Sequence, residues 1–372
     1  MDFTPTEEQE AAQELAARIF ADLATHERLR AAGSGTDAEL WKALCAAGLP
    51  GSVEETGLLG LVLLLEEQGR VTAQVPFAVT CVYGILAVAR HGTDEQRARL
   101  LPGLRDGTTV VTGAFPAPGA VVAREGRLSG AVDWVPWLRD ATHVLVPDED
   151  HALWLVRTED TARVDPVELT APWSAGRLVL DGTVGERLGA GGLKGERELK
   201  GEEELKREEE LKGEEERLGE GAAYADVLAA ARVAFAGLQA GVCAGSLARA
   251  VEYTSVREQF GRPLSTHQAV QLRAADAHMD TEAIRVTAYE AAWRYDEGLA
   301  ATGAAVTAAW WASEAGKRVV HAGQHLHGGM GADLDHPVHR HFLWGRQLDA
   351  YLGCGTELLA ELGDLLAEGD PS

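Results

Sequence analysis

The sequence predicts a mainly α protein with a small β domain in the middle of the chain. Before residue 110, apolar residues recur at helical spacing. They then occur in short β-rich runs separated by Gly, Pro and Asp, and Ala-rich helical periodicity returns after residue 221. We therefore predict an N-terminal helical domain (1–110), a middle β domain (111–190), a charged insertion (191–220) and a C-terminal helical bundle (221–372).

The N-terminal domain carries two helix-start signals. Thr4 precedes Pro5 and Glu7, a spacing that predicts a hydroxyl N-cap, a proline at the first helical position and a capping carboxylate. Thr93 and Gln96 repeat the capping box. Helical apolar spacing covers 11–20, 40–47, 58–68 and 98–104.

The middle domain is predicted from two β-rich runs. THVLVP (142–147) and ALWLVR (152–157) combine β-branched and aromatic residues, and a turn rich in Asp separates them. The pattern favours paired strands.

The charged insertion is a hexapeptide repeat, in which variants of LKGEEE fill 193–216. Leucines six residues apart spiral around a helix and leave no apolar stripe, so the repeat cannot pack as a core helix. Three alternatives remain: a solvated charged helix with Glu–Lys pairs, a disordered linker, or an arm that binds a partner.

Composition excludes several functional classes. The net charge of −24 disfavours nucleic acid and anionic membranes. The four cysteines are far apart and predict neither a metal site nor disulfides, which fits a cytoplasmic protein. The apolar run 58–65 is too short to span a bilayer, and the acidic N-terminus does not resemble a signal peptide.

The segment 253–271, YTSVREQFGRPLSTHQAVQ, breaks a long helical pattern with Gly-Arg-Pro. We predict a helix–turn–helix corner with exposed polar side chains. In isolation, Arg257 would be a solvated helix charge and Phe260 a core residue.

The corner resembles the R-x-x-F signature of the acyl-CoA dehydrogenases. Three more stretches are similar to that family: YGILAVARHGTDEQRARLLPGLRDGT (83–108), RLSGAVDWVPWLRDATHVLVP (127–147) and HLHGGMGADLDHPVHRHF (325–342). The sequence is closer to the shorter actinobacterial members than to the fatty-acid enzymes. The resemblance implies a helical N-domain, a β-barrel-like middle domain and a C-terminal four-helix bundle that forms a dimer, a tetramer or a heteromer.

The resemblance also implies FAD contacts. Arg257 would face the pyrophosphate of FAD in a neighbouring subunit, because a guanidinium binds phosphate oxygens in a bidentate manner. Phe260 and Gln268 would line the adenosine end. Gly328 and Gly329 would let the backbone approach a phosphate, although a simple turn would also explain this pair.

The contacts to the flavin ring are less well kept than those to the rest of FAD, where Thr356 keeps the family's residue type. Thr356 would reach the ribityl chain, His325 replaces the usual Gln, and Trp134 could stack on the flavin ring. Pro116 and Pro136 stand where the family has threonines that bond the ring, and proline donates no hydrogen bond.

The sequence also lacks the catalytic glutamate that the resemblance implies. Cys354 occupies its usual position near the C-terminus, and Ala231 occupies the second position known in the family. A thiolate at Cys354 could act as a base, or the thiol could simply fill space. Other candidates for a relocated acid or base are His327, Asp333, Asp335 and Tyr351.

Three functions are therefore open. The chain could be an FAD-dependent oxidoreductase that α,β-dehydrogenates an acyl thioester of CoA or an acyl-carrier protein, with a relocated base. It could be a non-catalytic companion subunit that completes the FAD site of another chain in a heteromer. It could also be a biosynthetic enzyme of secondary metabolism that uses this fold for elimination, cyclisation or another unusual step.

Overall fold

Helices flank a central β region, which confirms the predicted fold class. The computed structural model describes residues 2–116, 119–189 and 202–368; for 202–220 and 368 it describes the backbone alone.

The N-terminal part consists of helices joined by short loops between residues 7 and 106. Its helices are α1 (Glu7–Leu23), α2 (His26–Ala32), α3 (Ala38–Ala46), α4 (Leu49–Val71), α5 (Phe77–Val79), α6 (Ala87–His91) and α7 (Asp94–Asp106), with a π-helical segment at Thr80–Leu86 between α5 and α6.

One predicted helix start is wrong by two residues and the other is confirmed. Thr6, not Thr4, caps α1: its hydroxyl accepts from Gln9 N at 3.3 Å, and Gln9 Oε1 accepts from Thr6 N at 2.9 Å. A side-chain amide three residues after the cap closes this box, and Thr6 offers that spacing. Thr93 caps α7 with Gln96, as predicted.

The β region consists of two four-stranded sheets. Its strands are β1 (Val111–Gly113), β2 (Val121–Arg124), β3 (Arg127–Val135), β4 (His143–Pro147), β5 (Leu153–Arg157), β6 (Arg163–Pro166), β7 (Gly176–Val184) and β8 (Glu186–Arg187). The sheet orders are β1-β4-β5-β8, with β1 parallel to β4, and β2-β3-β7-β6, which is antiparallel. β4 and β5 are the two predicted runs, paired antiparallel.

The C-terminal part is built on α8 (Glu202–Val256), α9 (Gln268–Asp296), α10 (Thr302–Leu326), α11 (Pro337–Asp349) and α12 (Gly355–Glu368). The two-residue strands β9 (Glu258–Gln259) and β10 (Arg262–Pro263) lie between α8 and α9. Residues 190–201 of the charged insertion lie outside the described part of the chain. The backbone of 202–220 is the first part of α8, so the predicted division at 220 falls inside one continuous helix.

Glycines allow α8 and α4 to pack with their backbones in contact. Three of the glycines in α8 lie four residues apart on one face of the helix: Gly237, Gly241 and Gly245. A Cβ built on Gly241 would lie 2.1 Å from Glu66 O, and one on Gly245 would lie 2.2 Å from Arg70 O. The segment Gly221–Val256 is long and apolar enough to cross a membrane, but 89% of its apolar window is buried within the protein, as in a core helix.

His341 links α11 to the end of α4 and gives the protein a pH dependence. Its Nε2 lies 2.9 Å from Arg70 O, and burial lowers the pKa of His341 from 6.5 to about 4. The unfolded chain therefore binds a proton at a higher pH than the folded chain, so stability is lost as the pH falls below 6.5 and the loss levels off near 4.

We expect His341 to cost the wild type about 2 kcal/mol of unfolding free energy between pH 7 and pH 5. His341→Gln keeps an N–H donor but does not titrate in this range. Between pH 7 and pH 5 the variant should therefore lose about 2 kcal/mol less unfolding free energy than the wild type. Urea unfolding of both proteins at the two pH values measures the difference. Parallel pH profiles would contradict the prediction.

Candidate functional site

The corner after α8 presents a cation and an aromatic ring to solvent. Arg257 N donates to Tyr253 O at 2.9 Å and ends the helix, and β9 and β10 form a short hairpin. Phe260 lies at its turn with φ 55°, followed by Gly261 with φ 77°. The Phe260 side chain is 92% exposed, which rules out its interpretation as a core residue in this chain.

A second exposed segment follows α10. Gly328 has φ 61° and begins a 3₁₀ turn, Gly328–Ala332. A Cβ on Gly328 or Gly329 would meet nothing within 4 Å, so the positive φ at Gly328, rather than crowding, requires a glycine. His325 is exposed at the end of α10, and Gln268 is exposed as the first residue of α9.

We call the corner and the glycine turn together the nucleotide edge (Arg257, Phe260, Gln268, His325, Gly328 and Gly329). The Tyr253 ring, one turn before Arg257, stacks on His327 at 4.8 Å and joins the two segments. An exposed guanidinium, an exposed ring and exposed backbone N–H groups fit the pyrophosphate and adenine of FAD.

The other predicted site residues form a separate group around Tyr351. The Trp134 ring lies 5.5 Å from the Tyr351 ring, and Cys354 follows Tyr351 by three residues. Cys354 N donates to Glu357 Oε2 at 2.9 Å, and its Sγ lies 3.4 Å from the hydroxyl of Thr356. In these contacts the side-chain neighbours of Cys354 are therefore a carboxylate and a hydroxyl, at the residue that precedes α12.

Further aromatic rings, most of them buried, pack beside this group. Tyr83, in the π-helical segment, stacks on Phe115 at 5.1 Å, and Phe115 stacks on Tyr224 at 5.4 Å. Tyr83 Oη lies 2.8 Å from Tyr351 Oη, and Phe235 packs edge-on to Tyr351 at 4.7 Å. We call these five residues the aromatic cluster. Burial raises the pKa of both Tyr83 and Tyr351 well above the ordinary range, so both hydroxyls are neutral.

Both positions for a catalytic glutamate border the aromatic cluster. Ala231 is fully buried and lies on the same face of α8 as Tyr224 and Phe235, seven residues after the first and four before the second. Cys354 follows Tyr351, a member of the cluster, by three residues. Sequence reasoning missed Tyr83, Phe115, Tyr224 and Phe235, because they come from distant segments and share no motif.

The remaining candidates for a relocated base do not join this group. Asp335 forms an ion pair with Arg30 at 2.8 Å, and Asp333 Oδ1 accepts from Asp335 N at 3.0 Å. His327 is buried against Tyr253. Of the four candidates, the structure brings Tyr351 alone to the aromatic cluster.

Two family profiles match most of the chain. Residues 6–108 match the N-terminal domain of acyl-CoA dehydrogenase, and residues 219–360 match its C-terminal domain. Acyl-CoA dehydrogenase FadE27 of Mycobacterium tuberculosis is 31% identical over 99% of both chains.

Two similar solved structures are named for pairs of proteins. The "Tcur3481-Tcur3483 steroid ACAD G363A variant" is 40% identical, covers 98% of this chain and 99% of its own, and has a TM-score of 0.85. The ChsE4-ChsE5 complex from Mycobacterium tuberculosis is 30% identical over the whole of both chains, with a TM-score of 0.84.

Proposed function

Because this chain belongs to the acyl-CoA dehydrogenase family, we propose that it is the companion subunit of a heteromeric acyl-CoA dehydrogenase. In this assembly it completes the FAD site of a different family chain, and that chain supplies the catalytic base. The reaction of the assembly is the α,β-dehydrogenation of an acyl thioester.

The observation that carries this proposal is the aromatic cluster between two positions without a carboxylate. Removal of an α-proton needs a base within hydrogen-bond reach of the α-carbon. Ala231 has no ionisable group, and burial keeps the Tyr83 and Tyr351 hydroxyls of the aromatic cluster protonated. In the described part of the chain, neither the Ala231 position nor the tyrosines of the aromatic cluster therefore offer a base for an α-carbon.

The nucleotide edge supports the proposal that this chain completes the FAD site of another chain. FAD, when bound, supplies the acceptor for the substrate hydride. Arg257 would pair with its pyrophosphate and Phe260 would pack against its adenosine end, and both side chains point away from this chain's own core. A chain that presents these contacts outward and lacks the catalytic carboxylate suits the role of a subunit that completes the FAD site of a neighbour.

An exposed apolar stripe on α9 supports assembly with another chain. Leu272, Met279 and Val286 are exposed and lie seven residues apart, which puts them on one side of the helix. Exposed apolar side chains in a row are typical of a surface that another protein covers. The stripe begins one turn after Gln268, so it continues from the nucleotide edge.

The relatives support two finer points. Each of the two similar structures is named for two proteins, which favours a partner different from this chain. The structure that is 40% identical is described as a "steroid ACAD", so we propose acyl-CoA thioesters that carry a steroid as the first substrates to test.

The experiment compares this chain alone with the same chain co-expressed with a second family member that carries the glutamate. We expect the chain alone to stay colourless between 350 and 500 nm after FAD is added. The pair should purify together with one FAD per two unlike chains, and the acyl-CoA panel should bleach the flavin. Cys354→Ala in this chain should leave the bleaching rate unchanged, because the base belongs to the partner.

Two results would contradict the proposal. FAD binding by this chain alone, with bleaching by an acyl-CoA, would show that it dehydrogenates on its own; loss of that bleaching in Cys354→Ala would identify the thiol as the base. A substrate consumed without bleaching would point to a non-oxidative reaction.

A further inference from the structure

The nucleotide edge is made of two segments that are distant in sequence. The corner with Arg257 ends α8, whereas Gly328 and Gly329 follow α10. A dinucleotide that contacts both segments needs a fixed distance between them, because binding is strongest when the groups are already in place. The contact between Tyr253 and His327 spans this gap.

Each ring of this contact adjoins one of the two segments of the nucleotide edge, Tyr253 the corner and His327 the glycine turn. Tyr253 O accepts from Arg257 N at 2.9 Å, so the tyrosine sits one turn below the guanidinium. His327 directly precedes Gly328, and its Nδ1 lies 2.7 Å from Gly323 O in the last turns of α10. The rings stack at 4.8 Å with 23° between their planes, and His327 is 2% exposed.

A third ring packs against His327. His336 lies 4.9 Å from His327, and its Nδ1 accepts from Val338 N at 3.3 Å at the start of α11. The row Tyr253–His327–His336 therefore runs from α8 across the end of α10 to α11. None of these rings needs to touch the nucleotide to set the position of the groups that do.

We propose that Tyr253 and His327 are positioning residues for nucleotide binding, and that their stack sets the spacing between Arg257 and the backbone of Gly328 and Gly329. This inference rests on the proposed function, since it assumes that the edge binds the pyrophosphate and adenosine of FAD. It predicts that the planar ring matters at both positions, rather than the Tyr253 hydroxyl or the His327 nitrogens.

The test measures the FAD dissociation constant of the co-expressed assembly, by flavin fluorescence after the FAD has been removed. Tyr253→Leu and His327→Leu remove a planar ring, and we expect each to weaken FAD binding about tenfold, the size of one lost aromatic contact. Tyr253→Phe and His327→Phe keep the ring and should stay within about twofold of the wild type.

His321→Leu is the matched control, because His321 lies near the end of α10, six residues before His327, and also contacts a ring, that of Phe342 at 4.9 Å. It should leave FAD affinity unchanged. Equal FAD affinity in all variants, or the same loss in His321→Leu, would overturn the inference while the proposed function stands. A wild-type assembly that takes up no FAD would overturn both.

Discussion

Gly241→Ala is expected to destabilise the protein by about 3 kcal/mol or more, the upper end of what overpacking a core costs. A Cβ at this position would lie 2.1 Å from Glu66 O and 2.7 Å from Glu66 C, and these are backbone atoms that cannot rotate away. α4 and α8 would have to separate, and buried contacts along both helices would weaken. Urea or thermal unfolding of the purified protein measures the loss.

Gly363→Ala provides the control for this substitution. Gly363 lies inside α12, where a Cβ would meet nothing within 4 Å. Alanine favours a helix over glycine by about 1 kcal/mol, so this variant should be slightly more stable than the wild type. Replacing glycine by alanine is thus expected to lower stability at position 241 and to raise it at position 363. A neutral or stabilising Gly241→Ala would show that α4 and α8 are not in backbone contact.

The sequence predicted those features that depend on neighbouring residues. The capping box of Thr93 and the two β runs are local signals, and the structure confirms them. The Gly-Arg-Pro break likewise indicated the position of the corner, which the structure places between Val256 and Gln268. The start of α1 was wrong because Thr4 and Thr6 both satisfy a capping pattern, and a bond to the Gln9 side chain decides between them.

The aromatic cluster could not be predicted because it is assembled from long-range contacts. Tyr83, Phe115, Tyr224 and Tyr351 come from a π-helical segment, a helix and two loop segments. No spacing along the chain indicates that their rings meet. The resemblance did locate Cys354 and Ala231 as positions without a carboxylate, but it gave no sign of the aromatic cluster.

The glycines of α8 carry a sequence signal for close helix packing. Gly237, Gly241 and Gly245 stand at four-residue intervals within an apolar, Ala-rich helix, where glycine weakens helix formation. Three such residues on one face indicate close approach of another helix. The sequence does not show which helix that is, because the contact with α4 depends on the tertiary fold.

Of the substitutions considered, replacing Arg257 should reduce the affinity for FAD most. Its guanidinium is exposed at the end of α8 and, in the proposed assembly, makes a charge-assisted bidentate contact with the FAD pyrophosphate. We expect Arg257→Ala to weaken FAD binding about 100-fold, the upper range for hydrogen bonds to a charged group. Arg257→Lys should lose less, since an ammonium keeps the charge but not the fork geometry. FAD titration of the apo-assembly measures both variants.

Arg127→Ala separates this contact from a general effect of charge. Arg127 is also exposed, donates to Gly182 O in the β region, and loses the same unit of charge on substitution. It should bind FAD as the wild type does. Size-exclusion chromatography should show both alanine variants still joined to the partner, because the α9 stripe is intact in each. If Arg257→Ala retains FAD like the wild type, Arg257 is a solvated helix charge. If it separates the subunits instead, the residue acts in assembly rather than on the pyrophosphate.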